Sequence, residues 1–166
     1  MTGEDCVSGT CTKAACTSAR VSYSDTCPEA TSINPSFSVT LNNDSADPVA
    51  LQDLAVLYYV TVGGAEPMVD VVRNYDASAP LLATIEAGTL VLYFEITTTI
   101  APGASRSWAI DYYTTDWLEY DTTNDYSRLT CGEGNENAVV CRRSGDSWYQ
   151  VSGNAPIEDS VVCGRL

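Results

Sequence analysis

Apolar and polar residues alternate along this chain in short bursts. Phe37, Val39 and Leu41 are separated by Ser38 and Thr40, and Asn42-Asn43-Asp44 then breaks the run. Further on, Trp108, Ile110 and Tyr112 alternate with Ala109, Asp111 and Tyr113. A period of two puts such sets on one face of a half-buried strand. Residues 54–62 are rich in Tyr and Val and end at Gly63-Gly64, and residues 90–99 form an apolar, β-branched run closed by Ala101-Pro102-Gly103. Both read as strands, as do shorter stretches at 20–24, 69–73, 81–86, 138–142 and 148–152. Short strands with Gly, Pro and Asn between them predict an all-β sandwich. No segment carries a helical period, and no internal repeat is visible.

Composition narrows the picture. A chain of 166 residues reads as one domain, with one compositional shift: a Cys/Thr/Ser/Gly arm over residues 1–18, ahead of a body spanning residues 19–166. The arm lacks the basic start and apolar core of a signal peptide. Eight basic against 22 acidic residues give a formal charge of −14. That field repels nucleic acid and anionic membrane surfaces and favours divalent cations. No apolar run approaches the roughly 20 residues of a membrane helix. The complete lack of histidine excludes Ser-His-Asp and Cys-His catalysis and His-ligated metals. Seven cysteines without C-x₂-C spacing point to disulfides and a secreted, extracellular protein. Their connectivity is open, and the odd number leaves one thiol free or bonded to another chain. Glu95 and Asp111 are the nearest thing to a glycosidase carboxylate pair, but nothing in the sequence brings them together.

Residues 117–127, Trp-Leu-Glu-Tyr-Asp-Thr-Thr-Asn-Asp-Tyr-Ser, place aromatic surface beside crowded side-chain oxygens. Asp121, Asn124 and Asp125 fall within five positions. Ca²⁺ takes roughly six to eight oxygen ligands, and such a cluster suits it. The competing reading is an Asx turn capped by its own side chains.

Four blocks resemble the family 3 cellulose-binding modules of bacterial cellulases and scaffolding proteins. They are Thr31-Ser32-Ile33-Asn34-Pro35-Ser36-Phe37-Ser38-Val39, the tyrosine-rich stretch 51–61, Ile100-Ala101-Pro102-Gly103-Ala104, and the segment 117–127. A weaker fifth block covers residues 138–156. The resemblance implies a jelly-roll-like β-sandwich of about nine strands, a structural calcium, and a flat face that lies on crystalline cellulose. Aromatic rings on such a face stack on glucan rings, while polar neighbours hydrogen-bond the hydroxyls.

Residue by residue, the resemblance gives Thr61, Asn124 and Asp125 as calcium ligands. Gly63 stands where the family has a strand-end aspartate, and Asp121 replaces a turn threonine and could restore that charge. For the sugar face it gives Trp117, with Asp111 where cellulose-binding members have an arginine. Tyr112 and Tyr113 point to opposite faces of one strand, so one belongs to the core and the other could extend the platform with Trp117. The segment between Thr61 and Leu90 is shorter than in cellulose-binding members, and Asp70 and Tyr75 within it do not align. The expected function is a secreted, non-catalytic module for cellulose or a related polysaccharide, stabilised by calcium. The alternative is an extracellular structural module that self-assembles into homopolymers through its disulfide-locked arm, residues 1–18.

Overall fold

The computed structural model describes residues 6–7, 10–11, 21–60, 73–74, 81–86, 89–94, 98–112, 119–132, 135–156 and 163–166. Among the described residues, nine strands make the two principal sheets. They are β1 (Val21–Asp25), β2 (Ser36–Asn43), β3 (Leu54–Tyr59), β4 (Arg73–Asn74), β5 (Leu81–Glu86), β6 (Thr89–Phe94), β7 (Ser105–Asp111), β8 (Ala138–Ser144) and β9 (Ser147–Ser152). One sheet has four strands in the order β1-β2-β7-β4, and the other has five in the order β9-β8-β3-β6-β5. All their pairings are antiparallel. The all-β sandwich predicted from patterning is the observed fold.

Alternation does what it predicts in the four-stranded sheet. Phe37, Val39 and Leu41 of β2 are buried, and so are Trp108 and Ile110 of β7. These residues meet Leu54, Val56, Tyr58, Leu90, Leu92 and Phe94 from the facing sheet. Phe37 stacks on Tyr58 with ring centroids 4.5 Å apart, and Phe94 lies 4.7 Å from Trp108.

β3 behaves differently: all six of its residues are buried. Leu54, Val56 and Tyr58 face the inter-sheet core, while Ala55, Leu57 and Tyr59 join a second apolar cluster with Val91, Val139, Cys141 and Cys163. Ala155 and Leu166 pack against that cluster, so the C-terminal segment covers the outer face of the sheet. The Cys141–Cys163 disulfide fastens it there. A strand covered on both faces has no use for alternation, which is why residues 54–59 read as a continuous apolar run.

Two turns follow their local chemistry. Gly145 sits at φ +62° at the tip between β8 and β9, where left-handed backbone favours glycine. In the formal sequon Asn43-Asp44-Ser45, Asn43 and Ser45 form a buried hydrogen-bonded knot rather than a glycan site, with Asp44 exposed at its tip. Asn43 is 0 % exposed, donates to Asp47 O (2.8 Å) and Ile100 O (2.9 Å), and accepts from the Ser45 amide (3.0 Å).

Candidate functional site

The segment 119–137 is tied down from several directions by distant parts of the chain. Tyr120–Asp121 forms a short ribbon with Thr31–Ser32. Thr122 is fully buried and donates through its hydroxyl to Glu29 O at 2.6 Å. The Arg128 guanidinium donates to Pro28 O at 3.2 Å. The Cys27–Cys131 disulfide bridges residues 104 positions apart. Beside it, Asp25 accepts from the Gly132 amide and from the Asn135 side chain, each at 2.7 Å. Ser127 is 0 % exposed, donates to Asn137 O and accepts from the Tyr59 amide, both at 2.7 Å. A belt of satisfied polar groups thus seats the motif on the end of the sandwich, an arrangement that rigidifies when complete.

Within the motif, burial alternates. Thr122, Asp125 and Ser127 are fully buried, whereas Asp121, Thr123 and Asn124 are exposed. Asp121 forms the Asx turn of the competing reading: its Oδ1 accepts from the Thr123 amide at 2.9 Å and from the Thr123 hydroxyl. The Thr123 hydroxyl is the first cause, and the Thr123 amide the second, that holds the Asp121 carboxyl below the usual range. Asp125 points inward and accepts from the Tyr112 hydroxyl at 3.2 Å. The expected ligand Thr61 lies outside the described residues. Among the described residues no three Cys, Asp or Glu side chains gather as a metal cluster.

Two expected sugar contacts are corrected. Tyr112 is 1 % exposed, edge-on to Phe37 at 6.2 Å with its hydroxyl on Asp125, so it is the core member of its pair. Asp111 is 5 % exposed, opposite Ser36 of β2 and Arg73 of β4, and does not present a carboxylate to a flat ligand. Tyr113, Trp117, Gly63, Asp70, Tyr75 and Glu95 lie outside the described residues. Trp148 and Tyr149, beside the β8–β9 tip, are half-buried. Trp148 meets Tyr93 edge-on at 6.5 Å, and the Arg143 guanidinium lies 5.9 Å from its ring.

Asp25, Ser127 and Asn135 are the members of this belt that sequence reasoning missed, as it missed the buried Tyr58 within electrostatic reach of Asp25 and Asp125. Asp25 and Asn135 stand 110 positions apart, and no local pattern joins them. Tyr58 is 0 % exposed, and its hydroxyl has no hydrogen-bond partner among the described residues. Burial first, then the charges of Asp25 and Asp125, push its phenol far above the ordinary 10.0, against an opposing Arg128. Above pH 10 the unfolded chain therefore gives up a proton that the folded chain keeps. Tyr58 contributes its full stability below that pH, and stability falls above it by about 1.4 kcal/mol per pH unit. Tyr58→Phe is expected to remove this slope between pH 10 and 11 in chemical denaturation, at little cost at neutral pH. Equal slopes in the two proteins would refute the assignment.

Residues 20–146 match the family described as the cellulose binding domain. The chain belongs to that family. It is similar to the carbohydrate-binding module CBM3b of the cellulosomal cellobiohydrolase 9A from Clostridium thermocellum, with a TM-score of 0.66 at 15 % identity over 81 % of this chain and 96 % of that one. It is also similar to the CBM3b of the major scaffoldin subunit ScaA from Acetivibrio cellulolyticus, with a TM-score of 0.64 at 18 % identity over 84 % and 98 % of the two chains. Among curated proteins it is 30 % identical over 122 residues to a xyloglucanase of a Paenibacillus species, covering 65 % of this chain. The match spans 11 % of that relative's length.

Proposed function

We propose that this chain is a secreted, non-catalytic module that binds cellulose or a related polysaccharide. Its membership of the cellulose-binding family across residues 20–146 carries the reading. Its similarity to a xyloglucanase and to a module of a cellulosomal cellobiohydrolase supports a polysaccharide-degrading setting. With Tyr112 and Asp111 buried, the sugar face rests on Trp117, with Tyr113 next to the core tyrosine as its extension. Calcium fits the donor chemistry of the motif, which is oxygen only. Asp125 would hold it with Asn124 and Thr61, and bound calcium would neutralise buried carboxylate charge and stiffen the turn that follows Trp117. Asp121, engaged by Thr123, supports an Asx cap better than a replacement ligand.

The test is retention on microcrystalline cellulose and on insoluble xyloglucan-coated cellulose, in calcium and in chelator, with Trp117→Ala alongside. Stacking that removes about 60 Å² of ring from water at about 25 cal/mol per Å² gives roughly 1.5 kcal/mol, so Trp117→Ala is expected to weaken binding about tenfold. No retention of folded wild-type protein on either solid would overturn the reading. In that case the arm becomes the functional element, and deleting residues 1–18 should convert polymers to monomers.

A further inference from the structure

We propose that Cys6 and Cys11 are joined by a third disulfide across the N-terminal arm, which makes Cys16 the odd cysteine of the chain. Of the seven cysteines, Cys27–Cys131 and Cys141–Cys163 use four, leaving Cys6, Cys11 and Cys16. Those three are equally spaced in sequence. Loop-closure entropy therefore cannot choose between a Cys6–Cys11 and a Cys11–Cys16 bond, because the two loops are the same length.

The backbone breaks that symmetry. Cys6–Val7 and Thr10–Cys11 pair antiparallel, with Val7 opposite Thr10 and Cys6 directly opposite Cys11. Only Ser8 and Gly9 separate the paired strands, a connection of hairpin length and composition. In a two-residue hairpin the pair flanking the loop exchanges hydrogen bonds, so the next pair outward is a non-hydrogen-bonded one. Cα atoms at such positions lie about 4.5 Å apart, within the roughly 4.4–6.8 Å that a disulfide spans. The two bonds already formed have Cα separations of 5.1 and 5.8 Å. Cys16 lies outside the described residues, and the register of the two described strands is what favours the Cys6–Cys11 bond.

The bond also has a physical use. A two-stranded ribbon alone is marginal in water, and a cross-link at its open end holds the register. In forming it, one cysteine thiolate attacks a small disulfide such as oxidised glutathione and expels one glutathione thiolate. The second cysteine then displaces the other glutathione from the mixed disulfide. Two protons and two electrons leave the pair, and one glutathione disulfide becomes two thiols. With Cys6 bonded to Cys11 and the other four cysteines paired, Cys16 is left for an alkylating reagent or for another molecule.

The sequence makes the test direct. Lys13 lies between Cys11 and Cys16, and Arg20 follows, so trypsin releases residues 1–13 and residues 14–20 as separate peptides. The full chain is equilibrated with glutathione disulfide and thiol, alkylated with iodoacetamide without reduction, digested and mapped by mass spectrometry. The expected result is peptide 1–13 unalkylated and lighter than its dithiol by two hydrogens. Cys16 should be alkylated or joined to a second copy of peptide 14–20. In a Cys16→Ser variant, peptide 1–13 should be unchanged. Peptide 1–13 linked to 14–20, linked to another 1–13, or alkylated at both cysteines would overturn the proposal.

Discussion

Removing the Cys27–Cys131 disulfide by a double Cys→Ala substitution is expected to lower the free energy of unfolding by about 4.7 kcal/mol on the chain-entropy relation. The bond closes a loop between residues 104 positions apart, so the reduced unfolded chain regains a large number of conformations. The Cys141–Cys163 bond, with a separation of 22, should cost about 3.4 kcal/mol on the same relation. The order of the two losses is the informative quantity, measured by guanidinium denaturation of the two variants. A larger loss at Cys141–Cys163 would mean that burial of Cys141 outweighs chain entropy. Cys27–Cys131 also holds the motif segment against the start of the sandwich. Its removal should therefore speed amide exchange at Gly132, whose amide donates to Asp25, before exchange in β3 changes.

Gly153→Ala is the second large effect, expected at about 3 kcal/mol from overpacking together with left-handed backbone strain. Gly153 has φ +82°, and a Cβ built on it would lie 1.7 Å from Ala138 O and 2.7 Å from Ala138 C. Those atoms cannot step aside. Ala138 is 0 % exposed and pairs with Tyr58 in the centre of the five-stranded sheet. The chain after β9 is held at this point, since the Asn154 amide donates to Glu136 O at 2.6 Å. Gly145→Ala is the control: it has φ +62° with nothing within 4 Å of the added Cβ. It should lose only the backbone penalty, about 1 kcal/mol. Equal denaturation midpoints for the two variants would show that the close approach at Gly153 carries no energy.

Much of the candidate site was visible before the fold, but its roles were not. The motif at residues 117–127 stands out by composition alone, because oxygen-bearing and aromatic residues are adjacent in the chain. Which of those oxygens face inward is a separate question. Asp121 and Asp125 are the same residue type four positions apart, yet one caps an exposed turn and the other is buried against Tyr112. Tyr112 and Tyr113 posed the same problem one strand earlier. Alternation said that they face opposite ways, and only the burial of Tyr112 against Phe37 of the neighbouring strand and Asp125 of the motif says that it is the inner one.

What the sequence determined by itself is what neighbouring residues encode. The period-two bursts at 36–43 and 105–111, the glycine turns and the acidic, histidine-free composition gave an all-β sandwich and closed several enzyme chemistries. Tertiary structure decided everything that joins residues far apart. It set the coverage of β3 by the C-terminal segment, the partners of Cys27 and Cys141, the Asp25–Asn135 contact and the conversion of a formal sequon into a buried knot. The physical reason is the range of the interactions. Backbone sterics and strand periodicity act over a few residues and leave a readable pattern, whereas packing and disulfide pairing depend on which distant surfaces the folded sheets bring together.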